Sequence, residues 1–210
     1  MLRESILLIG AGGHARSCID VIEQEGRYNI IGLLGLPHEV GSDVFGYSIL
    51  GCDDDLPELC KKNSTVLITM GQIKTASHRI RVFDQLQRMG GCLPVIISPR
   101  AYVSPHAKIG EGSIVMHGAV INAGVRIGRN CIINSKALLE HDVEIADHCH
   151  ISTASIINGG VKIGRGTFMG SGCHVRQSIT IGDHCLIGMG QVVLVDCAEG
   201  CWLPARKELA

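Results

Sequence analysis

With 210 residues, 19 basic against 20 acidic side chains and a formal net charge of −1, the chain has room for one large or two small domains. The charges are spread without blocks, so nothing favours nucleic acid or an anionic membrane, and no apolar run approaches the ~20 residues that span a bilayer. Glycine is abundant at 27 residues and aromatics make up only 3%, which calls for a narrow core of small and aliphatic side chains.

In chain order, the opening MLRESILLIGAGGHA runs straight into a glycine turn with no cleavage-site pattern, so a cytoplasmic setting is expected. Residues 5–9 read as an apolar strand, followed by Gly10-Ala11-Gly12-Gly13-His14. Residues 15–25 have helical spacing, with Cys18, Ile19 and Ile22 on one face and Gly26 as the stop. Strands follow at 28–34 and 65–70. An amphipathic helix at 76–89 closes on Gly90-Gly91, and 92–97 reads as a last strand. This β-α-β order predicts a small parallel sheet with helices on its faces, a Rossmann-like unit over residues 1–98. The glycine turn can cradle a phosphate at the helix start or serve only as a tight strand-to-helix turn. Ala15 stands where G-x-G-x-x-G has its third glycine, and no ribose acid follows, so NAD is disfavoured.

After Pro99 the rhythm changes. From Val103 to Val193, sixteen apolar residues recur every six positions without an insertion. Short hexapeptide repeats of this kind mean a parallel β-helix, here over residues 99–210. Three hexads make one coil, and the 18-residue period shows independently in Ile-Gly pairs at 109, 127, 163 and 181. The fifth hexad position also points inward. It is small at most steps, including Cys131, Cys149, Cys173 and Cys185, but bulky at Val125, Val143, Val161 and Ile179. Four of the ten cysteines are therefore small core residues, and no CxxC or other zinc-like spacing occurs; no metal is expected. Sixteen hexads stack to a prism roughly 25 Å tall, whose open edges favour self-association.

One hexad breaks the pattern: Leu139-Glu140-His141-Asp142-Val143-Glu144. At its corner positions the coils stack Ala123-Gly124, His141-Asp142, Gly159-Gly160 and Gln177-Ser178. The glycines leave a notch beside the imidazole. A histidine there can act as a general base, with the adjacent carboxylate fixing its tautomer; a solvated corner is the competing reading. His148 and His184, two coils apart, read as exposed turn residues. His150 and His174 end their hexads, His106 and His117 stand isolated, and spacing assigns none of them a role.

The GAGGHA start, the sequence Thr69-Met70-Gly71-Gln72 ahead of a helix carrying His78-Arg79, and the hexapeptide half occur in one order. Together they resemble the bacterial sugar acyltransferases that include the sialic acid O-acetyltransferases and the bacillosamine-type nucleotide-sugar N-acetyltransferases. The resemblance implies an N-terminal nucleotide-sugar-binding domain, a left-handed β-helix and a cytoplasmic homotrimer with acetyl-CoA lying between prisms. It implies no metal, and a place in polysaccharide biosynthesis. By position it makes His141 the base and Asp142 its acidic partner. Gly12, Gly13, His14 and Asn134 fall on substrate contacts, and His150, Gly159, Gly160, Gly170 and Gly188 on acetyl-CoA contacts. The reading for His150 comes from the resemblance alone.

The chain departs from the family twice. The Asp-Asp pair usual after the second strand is replaced by Gly32-Leu33-Leu34-Gly35-Leu36-Pro37, and the later Asp53-Asp54-Asp55 belongs to a different segment. The tail Gly200-Cys201-Trp202-Leu203-Pro204-Ala205-Arg206 lacks the glycine of the usual G-x-P-A ending. The activity expected is acetyl transfer from acetyl-CoA to an amino group of a nucleotide-linked sugar. O-acetylation of a sialic-acid-like sugar and a non-catalytic sugar-nucleotide-binding protein are the alternatives.

Overall fold

In the computed structural model, which describes residues 3–62 and 65–205, the N-terminal sheet has the order β3-β4-β2-β1-β5. These strands are β1 (Glu4–Ile9), β2 (Tyr28–Leu34), β3 (Asp43–Val44), β4 (Tyr47–Gly51) and β5 (Val66–Ile68). Strands β4, β2, β1 and β5 run parallel, and β3 is antiparallel to β4. The run Ile6-Leu7-Leu8-Ile9 is buried on both faces, as a central parallel strand requires. Helix α1 (Gly13–Glu25) covers one face through Ala15, Cys18, Ile19 and Ile22. Helices α2 (Leu56–Lys62) and α3 (Ser77–Arg88) cover the other with Leu56, Val82, Phe83 and Leu86.

Three features differ from expectation. The β3–β4 hairpin went unread because its turn is Phe45-Gly46, both at positive φ (53° and 82°). Such turns are usually signalled by Asn-Gly or Asp-Gly. Helix α2 is seven residues long and carries Pro57 in its first turn, too short to show periodicity. The segment 92–97 is not a strand of the N-terminal sheet. Cys92 makes one bridge to Thr65, Pro94 interrupts, and Ile96–Ile97 pairs instead with Ile114–Val115 of the next unit.

That next unit is a three-sided prism of two-residue parallel strands, in sheets of seven, six and five strands. Partners are 18 residues apart throughout the repeat, as in Ile121↔Leu139↔Ile157↔Val175. Every hexad residue from Val115 to Val193 is buried, and Val103 and Ile109 pack partly against the same core. The inward slot is small for a bonding reason as well as a spatial one. Ser113, Cys131, Cys149, Ser155, Thr167 and Cys173 each donate to the carbonyl fifteen residues ahead, at 2.8–3.2 Å. Hydroxyls and thiols thus satisfy corner carbonyls that would otherwise be buried unpaired. The core around α1 continues into Ile114, Met116 and Ile132, so the prism docks against the sheet through α1. Of the tail, Trp202–Leu203 pairs with Leu186–Ile187, and Arg206 lies outside the described residues.

Candidate active site

The C-terminal ends of β4, β2, β1 and β5 open onto one cavity of about 810 Å³. This is where open α/β sheets hold ligands. Gly12, Gly13 and His14 line it from the start of α1, where unpaired helix N–H groups favour anions. Asn134 and His150 line it from the prism. Five of the residues singled out from the sequence therefore meet at one place, although they come from both halves of the chain.

His150 is buried against Phe168 (ring centroids 5.2 Å apart), and burial pushes its pKa down to about 4. Its Nδ1 lies 2.7 Å from the Gln72 carbonyl, which can only accept, so Nδ1 carries the proton. Nε2 then accepts from Asn134 Nδ2 at 3.1 Å. Gln72, quoted in the TMGQ motif without a role, is thus the residue that fixes the His150 tautomer. The His14 ring sits 6.2 Å from that of His150. Burial, then the Arg79 and His150 charges, lower the His14 pKa to about 3, and its Nε2 is buried with no partner. Both histidines are neutral at physiological pH.

Arg79 of α3 holds the two units together beneath this cavity. It is only 2% exposed, donates to the Ile68 and Met70 carbonyls, and reaches Asn130 Oδ1 at 2.7 Å. Burial lowers its pKa to about 10. Asn130 Nδ2 lies 3.0 Å from His148 Nδ1. His148 is therefore not an exposed turn residue: it is 1% exposed, packed edge-on against Phe83, with its pKa lowered by burial to about 4. The docking of α3 on that corner, invisible in the hexad spacing, is what buries it. His184 is exposed as expected. His117, read as isolated, ties Asp20 of α1 (2.7 Å) to Ser98 (2.5 Å).

His141 and Asp142 stand on a different corner and do not line the cavity. His141 Nδ1 lies 3.0 Å from Asp142 Oδ2, and its side chain is 70% exposed. The notch is real. A Cβ on Gly159 would fall 2.6 Å from both Cε1 and Nε2 of the imidazole, and one on Gly124 would collide with Asp142 Oδ1. The Gly160 N–H donates to the His141 carbonyl at 2.9 Å, whereas no described group accepts from the Gly159 N–H. Gly170 and Gly188 stack on a third corner; their N–H groups are committed to Ile187 and Leu203 carbonyls. Among the described residues, no three His, Cys, Asp or Glu side chains converge as a metal site. Asp53 and Asp54, set aside as a different segment, line the same cavity as Gly35-Leu36-Pro37. They do so because β4 lies beside β2.

Comparison with known proteins bears on this arrangement. The PglD N-terminal domain matches residues 5–86, the bacterial transferase hexapeptide (six repeats) matches 106–141, and the hexapeptide repeat of succinyl-transferase matches 160–194. A point mutant of perosamine N-acetyltransferase from Caulobacter crescentus, solved with CoA and GDP-perosamine, superposes with a TM-score of 0.89. It is 31% identical, over 96% of this chain and 93% of that one. The chain belongs to the hexapeptide-repeat sugar acyltransferases with a PglD-type N-terminal domain. The prism of this acyltransferase is accordingly a left-handed β-helix behind a Rossmann-like unit. The acetyltransferase domain of PglB from Neisseria gonorrhoeae FA1090, in complex with acetyl coenzyme A, gives a TM-score of 0.88. Its identity is 28%, over 97% of each chain. Bifunctional protein GlmU from Syntrophotalea carbinolica is 29% identical over 77 residues, 37% of this acyltransferase but only 16% of GlmU. No helix among the described residues is long and apolar enough to cross a membrane.

Proposed function

We propose that the protein transfers the acetyl group of acetyl-CoA directly to an amino group of a nucleotide-linked sugar, with His141 as general base. The observation that carries this reading is the division of labour within one chain. The cavity has an anion-binding helix start and two buried, neutral histidines, His14 and His150, while the exposed His141–Asp142 pair stands outside it. A second copy supplies what each half-site lacks, which supports a homotrimer with sites between subunits.

The carboxylate of Asp142 accepts from His141 Nδ1–H, leaving the Nε2 lone pair free at the notch. The sugar amine attacks the thioester carbonyl, a C–N bond forms, and Nε2 takes the ammonium proton. The Gly159 N–H, which has no acceptor among the described residues and belongs to the glycine stacked against that imidazole, bonds the tetrahedral oxyanion in this reading. Collapse breaks the C–S bond, and the imidazolium returns the proton to the departing thiolate. Asn134 and the neutral His150 position the sugar and the thioester, and Gly12, Gly13 and His14 face the diphosphate. Gly160, Gly170 and Gly188 offer only backbone and Cα surface to the cofactor. The reading also takes residues 1–98 as the sugar-nucleotide unit and 99–210 as the transferase, acting in the cytoplasm in polysaccharide biosynthesis.

The test is a panel of nucleotide-linked amino sugars and their hydroxyl counterparts, incubated with acetyl-CoA and read by mass spectrometry. Amide products on the amino sugars alone support the reading. Ester products on the hydroxyl sugars alone replace it with O-acetylation, and no product on either argues for a binding protein.

A further inference from the structure

We propose that the carboxylate of Asp54 reads the nucleobase of the substrate and selects guanine. This rests on the nucleotide-sugar reading above and extends it to the far end of the cavity.

The order of strand ends fixes the direction in which a ligand lies. The start of α1, after β1, is the place for the diphosphate. Asn134 and His150 mark the sugar side, so the nucleoside extends the other way, across the ends of β2 and β4. Neighbouring strands are about 4.8 Å apart, which puts the end of β4 roughly 10 Å from the phosphate site, beyond the ribose. At the end of β2 the one acid, Glu39, is already committed to the Leu36 N–H at 2.7 Å. At the end of β4 the acids differ in their commitments. Asp55 accepts from the Cys52 N–H at 2.9 Å, and Asp53 pairs with His78 Nε2 at 2.8 Å, which ties this segment to the start of α3. Asp54 lines the cavity with no partner among the described residues. At the opposite, sugar end, beside His150, Gln72 is 2% exposed, lines the cavity, and its Oε1 has no hydrogen bond.

A carboxylate matches two N–H donors set side by side. Guanine presents them at N1–H and the 2-amino group. Uracil places its single N3–H between two carbonyls that repel the acid, and cytosine and adenine pair one donor with one acceptor.

Calorimetric titration of the full chain with GDP and UDP tests the assignment. GDP should bind at least about tenfold more tightly than UDP, and Asp54→Ala should erase that preference while leaving UDP affinity within about twofold. Equal affinities in the parent, or equal losses of both nucleotides in Asp54→Ala, would overturn the base-reading role while leaving the nucleotide-sugar reading standing. If acetyl-CoA binds and neither nucleotide does, both fall.

Discussion

Replacing Gly159 with alanine should cost most of the turnover and almost none of the stability. The added Cβ would lie 2.6 Å from Cε1 and Nε2 of His141, whereas non-bonded carbons settle at about 3.5–4.0 Å, so the ring must retreat by roughly 1 Å. Gly159 has no positive φ, so alanine brings no backbone strain. The colliding atoms are the tip of an exposed side chain, which can move at a cost under about 1 kcal/mol. A catalytic group misplaced by about 1 Å loses on the order of 10²-fold in rate, equivalent to about 2.7 kcal/mol of barrier. The assay is the rate of CoA thiol release at saturating acetyl-CoA and amino-sugar nucleotide, with a thermal melt on the same sample. Unchanged kcat in a variant of unchanged Tm would refute the idea that the notch exists to seat the imidazole.

Asp142→Asn keeps the shape of the pair but removes the charge that stabilises the imidazolium, so kcat should fall at least about tenfold with KM nearly constant. A shared site predicts complementation. Co-expressing a His141→Ala chain with a Gly12→Phe chain, whose cavity is blocked, should restore about a quarter of wild-type turnover, because each interface draws its two chains independently. No restoration would place the whole site within one chain. Stability should depend on pH through His148 and His150. Their folded pKa values near 4 lie below the unfolded value of 6.5, so the unfolded state binds more protons between them. Stability from this source is fully present above about pH 6.5 and falls as pH drops toward 4, by roughly 3 kcal/mol per histidine. Calorimetry from pH 4.5 to 7 should show Tm rising with pH, less steeply in His150→Gln; a flat profile would contradict neutral burial.

The β-helix was legible because its physics repeats: each inward slot returns every six residues, and the coil register every eighteen. The notch at His141 was legible for the same reason, since register alone stacks Gly159 on the imidazole. What the sequence hid depends on how separate elements dock. His148 is buried by Phe83 of α3, a contact that no hexad spacing predicts. Asp54 reaches the cavity only because the Phe45-Gly46 hairpin brings β4 alongside β2. Gln72 acts through its backbone carbonyl, which no side-chain motif reveals. Family resemblance put Asn134 and the glycine turn on the substrate and His150 on acetyl-CoA; that they line one cavity is visible only in the folded chain. The separation of His141 from that cavity emerged from the folded chain.

The most direct measurement of the central claim is the turnover of His141→Ala on an amino-sugar nucleotide that the parent accepts, with acetyl-CoA binding checked in parallel. The account predicts a kcat lowered by about 10²–10⁴-fold, the range for a lost general base, with acetyl-CoA affinity retained. Turnover at the wild-type rate would contradict it.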